Sequence, residues 1–329
     1  VRRKVSEGSP PLISICIVNY NAGALLPRCI ESIRAQTLQD YEVIVVDNCS
    51  SDGSVEWITP DEGLRLLRNE RNLGFAAAQN QGMRLAQGRY LMPLNFDILL
   101  ERRFLEEMAA GMALSERIGA VSGKLMRLTE HGKSQVIDNA GLLLPRRRVP
   151  QHRGGGEVDA GQYDEYARVF GVMGAAALYR REMLEDIAYQ GQYFDESYFM
   201  WYEDIDLDWR ARLRGWDCLY TPRAVAYHVG DVHGHGRSKL GARVSMRNRW
   251  KTILTNECPG CLARNFFPLL QEELALLRHV ARFGLFREYL WAVGSLLSCL
   301  PEIYKKRRWV RSRARLRCLP EYPLAFEGA

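Results

Sequence analysis

LISICIVNYNAGALLPRCIESIRAQTLQDYEVIVVDNCSSDGS, residues 12–54, is the stretch on which the fold turns. Its opening, Leu12 to Tyr20, is a nearly continuous apolar, β-branched run, the pattern of a strand buried on both faces of a parallel sheet. Asn21 and Gly23 turn the chain. Ala24 to Gln36 then places apolar residues at 25, 26, 30 and 33, the period of a helix that packs on one face. Tyr41 to Asp47 reads as a second buried strand, stopped by the Asx and Gly turn chemistry of Asp47 to Gly53.

Downstream, Leu64 to Arg68 predicts a short third strand and Ala76 to Gln87 a helix closed by Gly88. Arg89 to Leu94 predicts a fourth strand running into Asn95-Phe96-Asp97. Alternation of this kind implies a doubly wound α/β sheet whose ligands bind beyond the carboxyl ends of the strands, with Tyr20, Asp47 and Asp97 on one rim. Gly119 to Leu128 resembles another strand and Arg146 to Gly156 a basic, mobile loop. Phe170 to Tyr179 is apolar with two glycines, where backbone approaches something closely. From Leu269 to Trp309 apolar residues at 270, 274, 277 and 280 give a C-terminal helical segment.

Composition excludes several classes. The chain has 329 residues, 47% hydrophobic and 26% charged, which is globular rather than disordered or fibrous. The longest apolar run, around Tyr289 to Leu300, falls short of the roughly 20 residues that cross a bilayer, so no transmembrane helix is expected. The opening VRRKVSEGSPP has no secretory-signal character, which points to the cytoplasm. Eight scattered cysteines suggest reduced thiols. Cys258-Pro-Gly-Cys261 reads as a turn, with a metal site the alternative, because a zinc site would want a second pair or two histidines nearby. Pro301 to Cys318 holds eight basic residues and one Glu within a net charge of +6, so a basic tail follows a nearly neutral body and points to a local anionic partner.

Two constellations carry chemistry. In MWYEDIDLDWRARLRGW the acids Glu203, Asp204, Asp206 and Asp208 come first, three arginines follow, and Gly215 closes, the charge order of a helix. Asp206 and Asp208 are expected to complement the dipole and form surface ion pairs, with Asp208 four residues from Arg212. Glu203 and Asp204, directly after the aromatic run Tyr198 to Tyr202, are candidates for a general base. Asp97, after a strand, suits a hard cation such as Mg²⁺ or Mn²⁺ beside substrate phosphates, or is a turn former. His228 is a candidate second ligand, since imidazole suits Mn²⁺ better than Mg²⁺. His228, His233 and His235 are alternatively a zinc cluster or solvated loop residues. No P-loop and no dinucleotide fingerprint follows the first strand.

The five blocks SICIVNYNAGALLPRCIESIRAQTLQDYEVIVVDNCSSDGS, RNERNLGFAAAQNQG, YLMPLNFD, FMWYEDIDLDWRARLRGW and AYHVG occur in one order. They make the chain resemble glycosyltransferase family 2, inverting enzymes of the GT-A fold, and most of all its bacterial rhamnosyltransferase-like branch, over roughly Leu12 to Arg249. The resemblance implies a nucleotide-binding mixed α/β sheet flanked by helices, followed by a C-terminal helical segment. It divides the chain into a tail (1–11), a nucleotide-sugar half (12–125), an acceptor and catalytic half (126–250) and a basic helical segment (251–329).

Carried over residue by residue, Val18, Tyr20, Asn21 and Asp47 would hold the nucleoside, and Asn72, Gly74, Asn80, Asn95 and Phe96 would line the donor cleft. Asp97 matches the last carboxylate of the DxD motif and, with His228, would hold Mn²⁺ or Mg²⁺. Asp204, beside Glu203, matches the catalytic base. Many members have Asp where this chain has Asn95, which leaves one charged ligand in the motif. The implied donor is a nucleoside-diphosphate sugar, dTDP-rhamnose or a UDP-sugar, and the acceptor a glycan or polyprenyl-linked glycan in surface polysaccharide synthesis. The basic segment, with Trp291, Tyr304 and Trp309 as interfacial anchors, would lie on the anionic inner face of the cell membrane, and no nucleic acid is expected. A nucleotidyltransferase using the same cleft, or a non-catalytic membrane- or nucleic-acid-binding module, remain as alternative readings.

Overall fold

A computed structural model describes residues 10–59, 63–230, 232 and 238–322, with the backbone of 324–325. In chain order the first half comprises β1 (Ile13–Asn19), α1 (Leu25–Arg34), β2 (Tyr41–Asp47), β3 (Arg65–Arg68), α2 (Phe75–Leu85), β4 (Tyr90–Asn95), β5 (Ile98–Leu100) and α3 (Phe104–Ala113). The middle comprises β6 (Ile118–Thr129), β7 (Gly132–Asn139), β8 (Leu142–Leu143), β9 (Gln151–His152), β10 (Ala167–Val169), β11 (Ala177–Arg180), α4 (Arg181–Ile187), α5 (Glu203–Arg214) and β12 (Asp217–His228). Then follow α6 (Lys239–Asn256), α7 (Pro259–Arg264), α8 (Phe266–Phe283), α9 (Phe286–Ser298), α10 (Leu300–Arg313) and β13 (Leu324–Ala325).

The main sheet runs β13-β10-β12-β6-β11-β4-β1-β2-β3, with β5 added to β12 and β7 to β6. β3, β2, β1 and β4 are mutually parallel, as the buried apolar runs require. β11 enters antiparallel between β4 and β6, which makes the sheet mixed. Every residue of β1 is buried, and α1 presents Leu26, Cys29, Ile30 and Ile33 to one side of it. Ala76, Ala78 and Met83 of α2 pack in a separate apolar cluster with Cys16 and Val46.

Several sequence readings are refined. Gly88 does not cap α2, whose cap residue is Ala86. Gly88 lies instead where an added Cβ would meet the Ser14 backbone nitrogen at 2.6 Å, so its smallness serves strand packing. The basic stretch 146–156 is partly packed, with Arg153 4.5 Å from the Tyr163 ring and 5.1 Å from that of Tyr220. In Phe170 to Tyr179 the close approach is at Gly171, where a Cβ would stand 2.2 Å from the Asp208 carboxylate. The divisions at 125/126 and 250/251 fall inside β6 and α6. The reading of the eight cysteines as scattered, with Cys258 to Cys261 an isolated turn, also needs correction. Cys318 returns to that turn and pairs with Cys261, a neighbour 57 positions away that no local spacing announces.

Candidate active site

A cavity of about 580 Å³ opens at the carboxyl ends of the parallel strands, where β1, β4, β12 and the start of α5 converge. Val18 and Tyr20 line it from β1, Asn95, Phe96 and Asp97 from β4 and its turn, and Glu203 and Asp204 from α5. Asn72, Gly74 and His228 complete the predicted residues in the wall. Asn21, Asp47 and Asn80 are outside that lining. The Asn21 side-chain oxygen Oδ1 accepts from the Ser51 backbone N–H, and Asp47 accepts from Asn19 at 2.9 Å. Asn80 is buried in hydrogen bonds with the Phe194 backbone. His233 and His235 lie outside the described residues.

Register explains how Asp97 meets His228. Asp97 immediately precedes β5, and Ile98 pairs directly with His228 of β12. The Asp97 Oδ2 and His228 Nε2 atoms stand 3.4 Å apart, both side chains buried, and Gly230 donates its N–H to the same Oδ2 at 3.0 Å. The other imidazole nitrogen, Nδ1, is 2.8 Å from Asp138 Oδ2. Burial works against the charged imidazole, but hydrogen bonds with Asp138 and Asp97 outweigh it and hold the His228 pKa up to about 9.

One carboxylate oxygen and one imidazole nitrogen converge here, and a second carboxylate fixes the ring from behind, the usual surround of a metal-binding histidine. This donor set fits a divalent ion of the Mn²⁺ type, which would have to displace the imidazole proton on binding.

Helix α5 has the predicted start and its predicted end, where Gly215 at φ +89° donates to the carbonyls of Ala211 and Arg212. Its entry is strained. Phe199, Trp201 and Tyr202 all have positive φ, and the buried Asn248 of α6 holds this loop through the carbonyls of Tyr198, Met200 and Trp201. Gly74 touches the same loop: a Cβ there would meet Phe199 at 2.5 Å, and the Phe75 N–H donates to the Phe199 carbonyl. Two distant segments are thereby locked together beside Glu203 and Asp204.

Asp204 Oδ2 accepts from the Gly174 N–H at 3.2 Å, and Glu203 Oε2 has no hydrogen-bond partner among the described residues. No cation pairs with either carboxylate among the described residues. Burial pushes the Asp204 pKa above the ordinary carboxylate value, and burial plus the adjacent Asp204 charge pushes Glu203 well above it.

The expected surface roles of Asp206 and Asp208 do not hold, since both are fully buried. Asp206 sits between Arg210 Nε at 2.9 Å and Lys306 Nζ at 2.7 Å. Asp208 accepts from the Val172 N–H at 2.7 Å, and Arg212 pairs with Asp217 instead. Helical spacing gave the face of each acid; it could not say that α6 and α10 cover the face carrying Asp206.

Three further contributors escaped the sequence reading. Asn48 holds the 72–74 loop by donating to Asn72 and accepting from the Leu73 N–H. Asp138 acts from 90 positions away and Asn248 from 47 to 50 positions away from what they position. The only local hint was at Asn48, inside the polar run that ends β2.

Residues 14–188 match the family described as glycosyl transferase family 2. The chain is 35% identical over 101 residues to glycosyltransferase GlyG of Streptococcus pneumoniae, covering 30% of this chain and 34% of that protein. Among solved structures it is similar to GalNAc-T7 with UDP, GalNAc and Mn²⁺ (TM-score 0.61, 15% identity, 90% of this chain and 58% of that one). It is also similar to the mannosyltransferase PcManGT of Pyrobaculum calidifontis with GDP-Man and Mn²⁺ (TM-score 0.56, 19% identity, 93% and 86%). At these identities the structural likeness establishes the GT-A type of fold. The chain spans 28%, 47% and 34% of the length of three curated relatives it matches.

Proposed function

The chain belongs to glycosyltransferase family 2, and on that premise we propose that it moves a sugar from a nucleoside-diphosphate donor to a hydroxyl of a glycan, with inversion at the anomeric carbon. The observation that carries this reading is the meeting of two unlike groups on one cavity: Asp97 with His228, and buried Glu203 with half-buried Asp204, neither paired with a cation among the described residues. The nucleoside would rest on Val18 and Tyr20, with Asp47 at the end of β2 accepting from the base, and the diphosphate would reach toward Asp97.

Asp204 is oriented by the Gly174 N–H, and its raised pKa makes its carboxylate a stronger acceptor for the proton of an incoming hydroxyl. Burial and the neighbouring charge raise the pKa of Glu203 further, which favours its protonated form beside the Asp204 carboxylate. A metal bound by Asp97 and His228 would neutralise charge on the departing diphosphate. Asp138 holds the His228 ring so that Nε2 faces Asp97. The Mn²⁺ in the two structural neighbours supports this assignment.

Within the reading, the donor is dTDP-rhamnose or a UDP-sugar and the acceptor a polyprenyl-linked glycan, by resemblance to the rhamnosyltransferase-like branch. The place of action is the cytoplasmic face of the membrane. Support comes from α8 and α9, which expose Phe267, Phe286 and Leu290 beside Arg282 and Arg287. Trp309 takes no part, because its ring packs against Tyr189 at 5.2 Å.

The test is nucleotide release from a panel of UDP-, dTDP- and GDP-sugars with Mn²⁺, with and without acceptor. Asp204→Asn is expected to keep donor binding and lower transfer by about 10²- to 10⁴-fold. The wild-type acid limb should stand above the ordinary carboxylate pKa, activity rising with pH as Asp204 loses its proton. Near wild-type sugar transfer by Asp204→Asn would overturn its assignment as the base.

A further inference from the structure

Away from the cavity, three cysteine sulfurs converge. Cys258 and Cys261 flank the first turn of α7, and Cys318 arrives from the segment after α10; the three Sγ atoms all lie within 4.8 Å of one another. Cys258 Sγ is 2.9 Å from Cys318 Sγ, and Cys261 pairs with Cys318. We propose that Cys258, Cys261 and Cys318 form a zinc site of three thiolates and one water that clasps the C-terminal segment to the helical layer.

A disulfide accounts for only two of the three sulfurs. It would oxidise Cys261 and Cys318, require an acceptor for two electrons, and leave the buried Cys258 thiol pressed against the bond. Zinc uses all three without redox chemistry: three thiols lose three protons, three Zn–S bonds form, and water completes the tetrahedron on the side where Cys318 meets solvent. Zn–S bonds of about 2.3 Å place sulfurs on the order of 3.8 Å apart, within reach of this cluster by small side-chain rotations. The Cα atoms of Cys261 and Cys318 are 6.7 Å apart, at the far edge of what a disulfide spans but ordinary for two ligands of one ion.

The surroundings suit thiolates. The Cys261 N–H donates to Cys258 Sγ at 3.0 Å, and Arg264 Nη2 donates to Cys261 Sγ at 3.4 Å. Arg307 interacts electrostatically with Cys258. Two guanidinium groups would balance the single net negative charge of a zinc ion held by three thiolates.

The clasp has a target. Beyond Cys318, Leu319 and Tyr322 pack on the cluster containing Trp209 and Ile205 of α5, and the Tyr322 ring lies 4.5 Å from the Arg212 guanidinium. Fixing Cys318 therefore fixes a strap across the outer side of the helix that carries Asp204.

The test uses the full chain, its affinity tag removed, purified without chelator. Elemental analysis should find about one zinc per chain beyond any held at Asp97 and His228, lost in Cys258→Ser. That substitution separates the two readings, since it leaves the Cys261–Cys318 pair intact and a disulfide would not notice it. Cobalt in place of zinc should give the intense thiolate-to-metal absorption of a tetrahedral sulfur site, absent in Cys258→Ser. Stripping the zinc should speed tryptic cleavage at Arg315 and Arg317 by about tenfold or more, at unchanged cleavage elsewhere. Zinc content unaltered by Cys258→Ser overturns the proposal. So does a metal-free protein whose intact mass is short by two hydrogens.

Discussion

Every side chain of β1 is buried, whereas on α8 and α9 only Leu269, Val280, Glu288 and Ala292 are, and Leu290 and Phe267 stand 69% and 72% exposed. The α/β body puts apolar atoms inside and lets polar strand ends meet at the cavity. The helical layer does nearly the reverse. Its α10 turns Lys306 inward to Asp195 and Asp206, 2.7 Å from each, with Lys251 reaching Asp195 at 3.4 Å. A layer that exposes much of its apolar surface and turns Lys306 inward is attached by ion pairs as well as by the packing of Val310 on the Trp209 cluster, and it leaves an apolar face for another surface. It also means that the basic tail is less free than its composition suggests: Lys306 and Arg313 are already committed to acids of the body.

Three experiments can break this contrast. The largest effect is expected from Lys306→Met, which leaves two carboxylates facing Lys251 and Arg210 alone. Removing one partner of a buried ionic network should cost about 3–5 kcal/mol in urea unfolding, whereas a layer held by apolar contact would be unchanged or steadier. The same network gives a pH signature. Burial works against the Asp195 charge, but Lys306 and Lys251 hold its carboxyl far below the ordinary range. Its contribution is therefore complete above an unfolded-state pKa of about 4 and drains away as the pH falls further.

The next experiment sharpens the picture of the body, where polar groups are reserved for the cavity. Asp138→Asn keeps the size of the side chain but removes the charge behind His228, and should weaken Mn²⁺-supported donor turnover by about 10- to 100-fold. A stability loss with unchanged metal dependence would make Asp138 a packing residue only. The smallest effect is on the outward face. Leu290→Glu should lower sedimentation with anionic vesicles by about fivefold at unaltered stability, since partial burial of one leucine is worth on the order of 1 kcal/mol. Equal sedimentation would assign the exposed row to something other than lipid.

The sequence reading was strongest where a property is local. The run Leu12 to Tyr20 and the spacing in Ala24 to Gln36 specified a strand and a helix within one or two residues of β1 and α1. The acid-first, arginine-last order with Gly215 specified α5 with both ends. It failed where burial depends on a distant neighbour. Asp206 and Asp208 carry the same charge in the same helix as Asp204, and only the elements packed on each face make one an ion-pair partner, another a backbone acceptor and the third a group open to the cavity. Apolar spacing at Leu270, Leu274 and Leu277 announced a helix but not which side of it meets the body, and the structure leaves those three leucines exposed.

By itself, then, the chain determined the elements from β1 to β4, α5 and the parallel core, because backbone state and strand burial are written in periods of two and 3.6 residues, while the family came from the resemblance of five ordered blocks. Tertiary structure alone decided which acids share the cavity, that Asp138 stands behind His228, and that Cys318 joins Cys258 and Cys261. Those meetings depend on strand register and on the path of the last helices, which act over separations that no local pattern encodes.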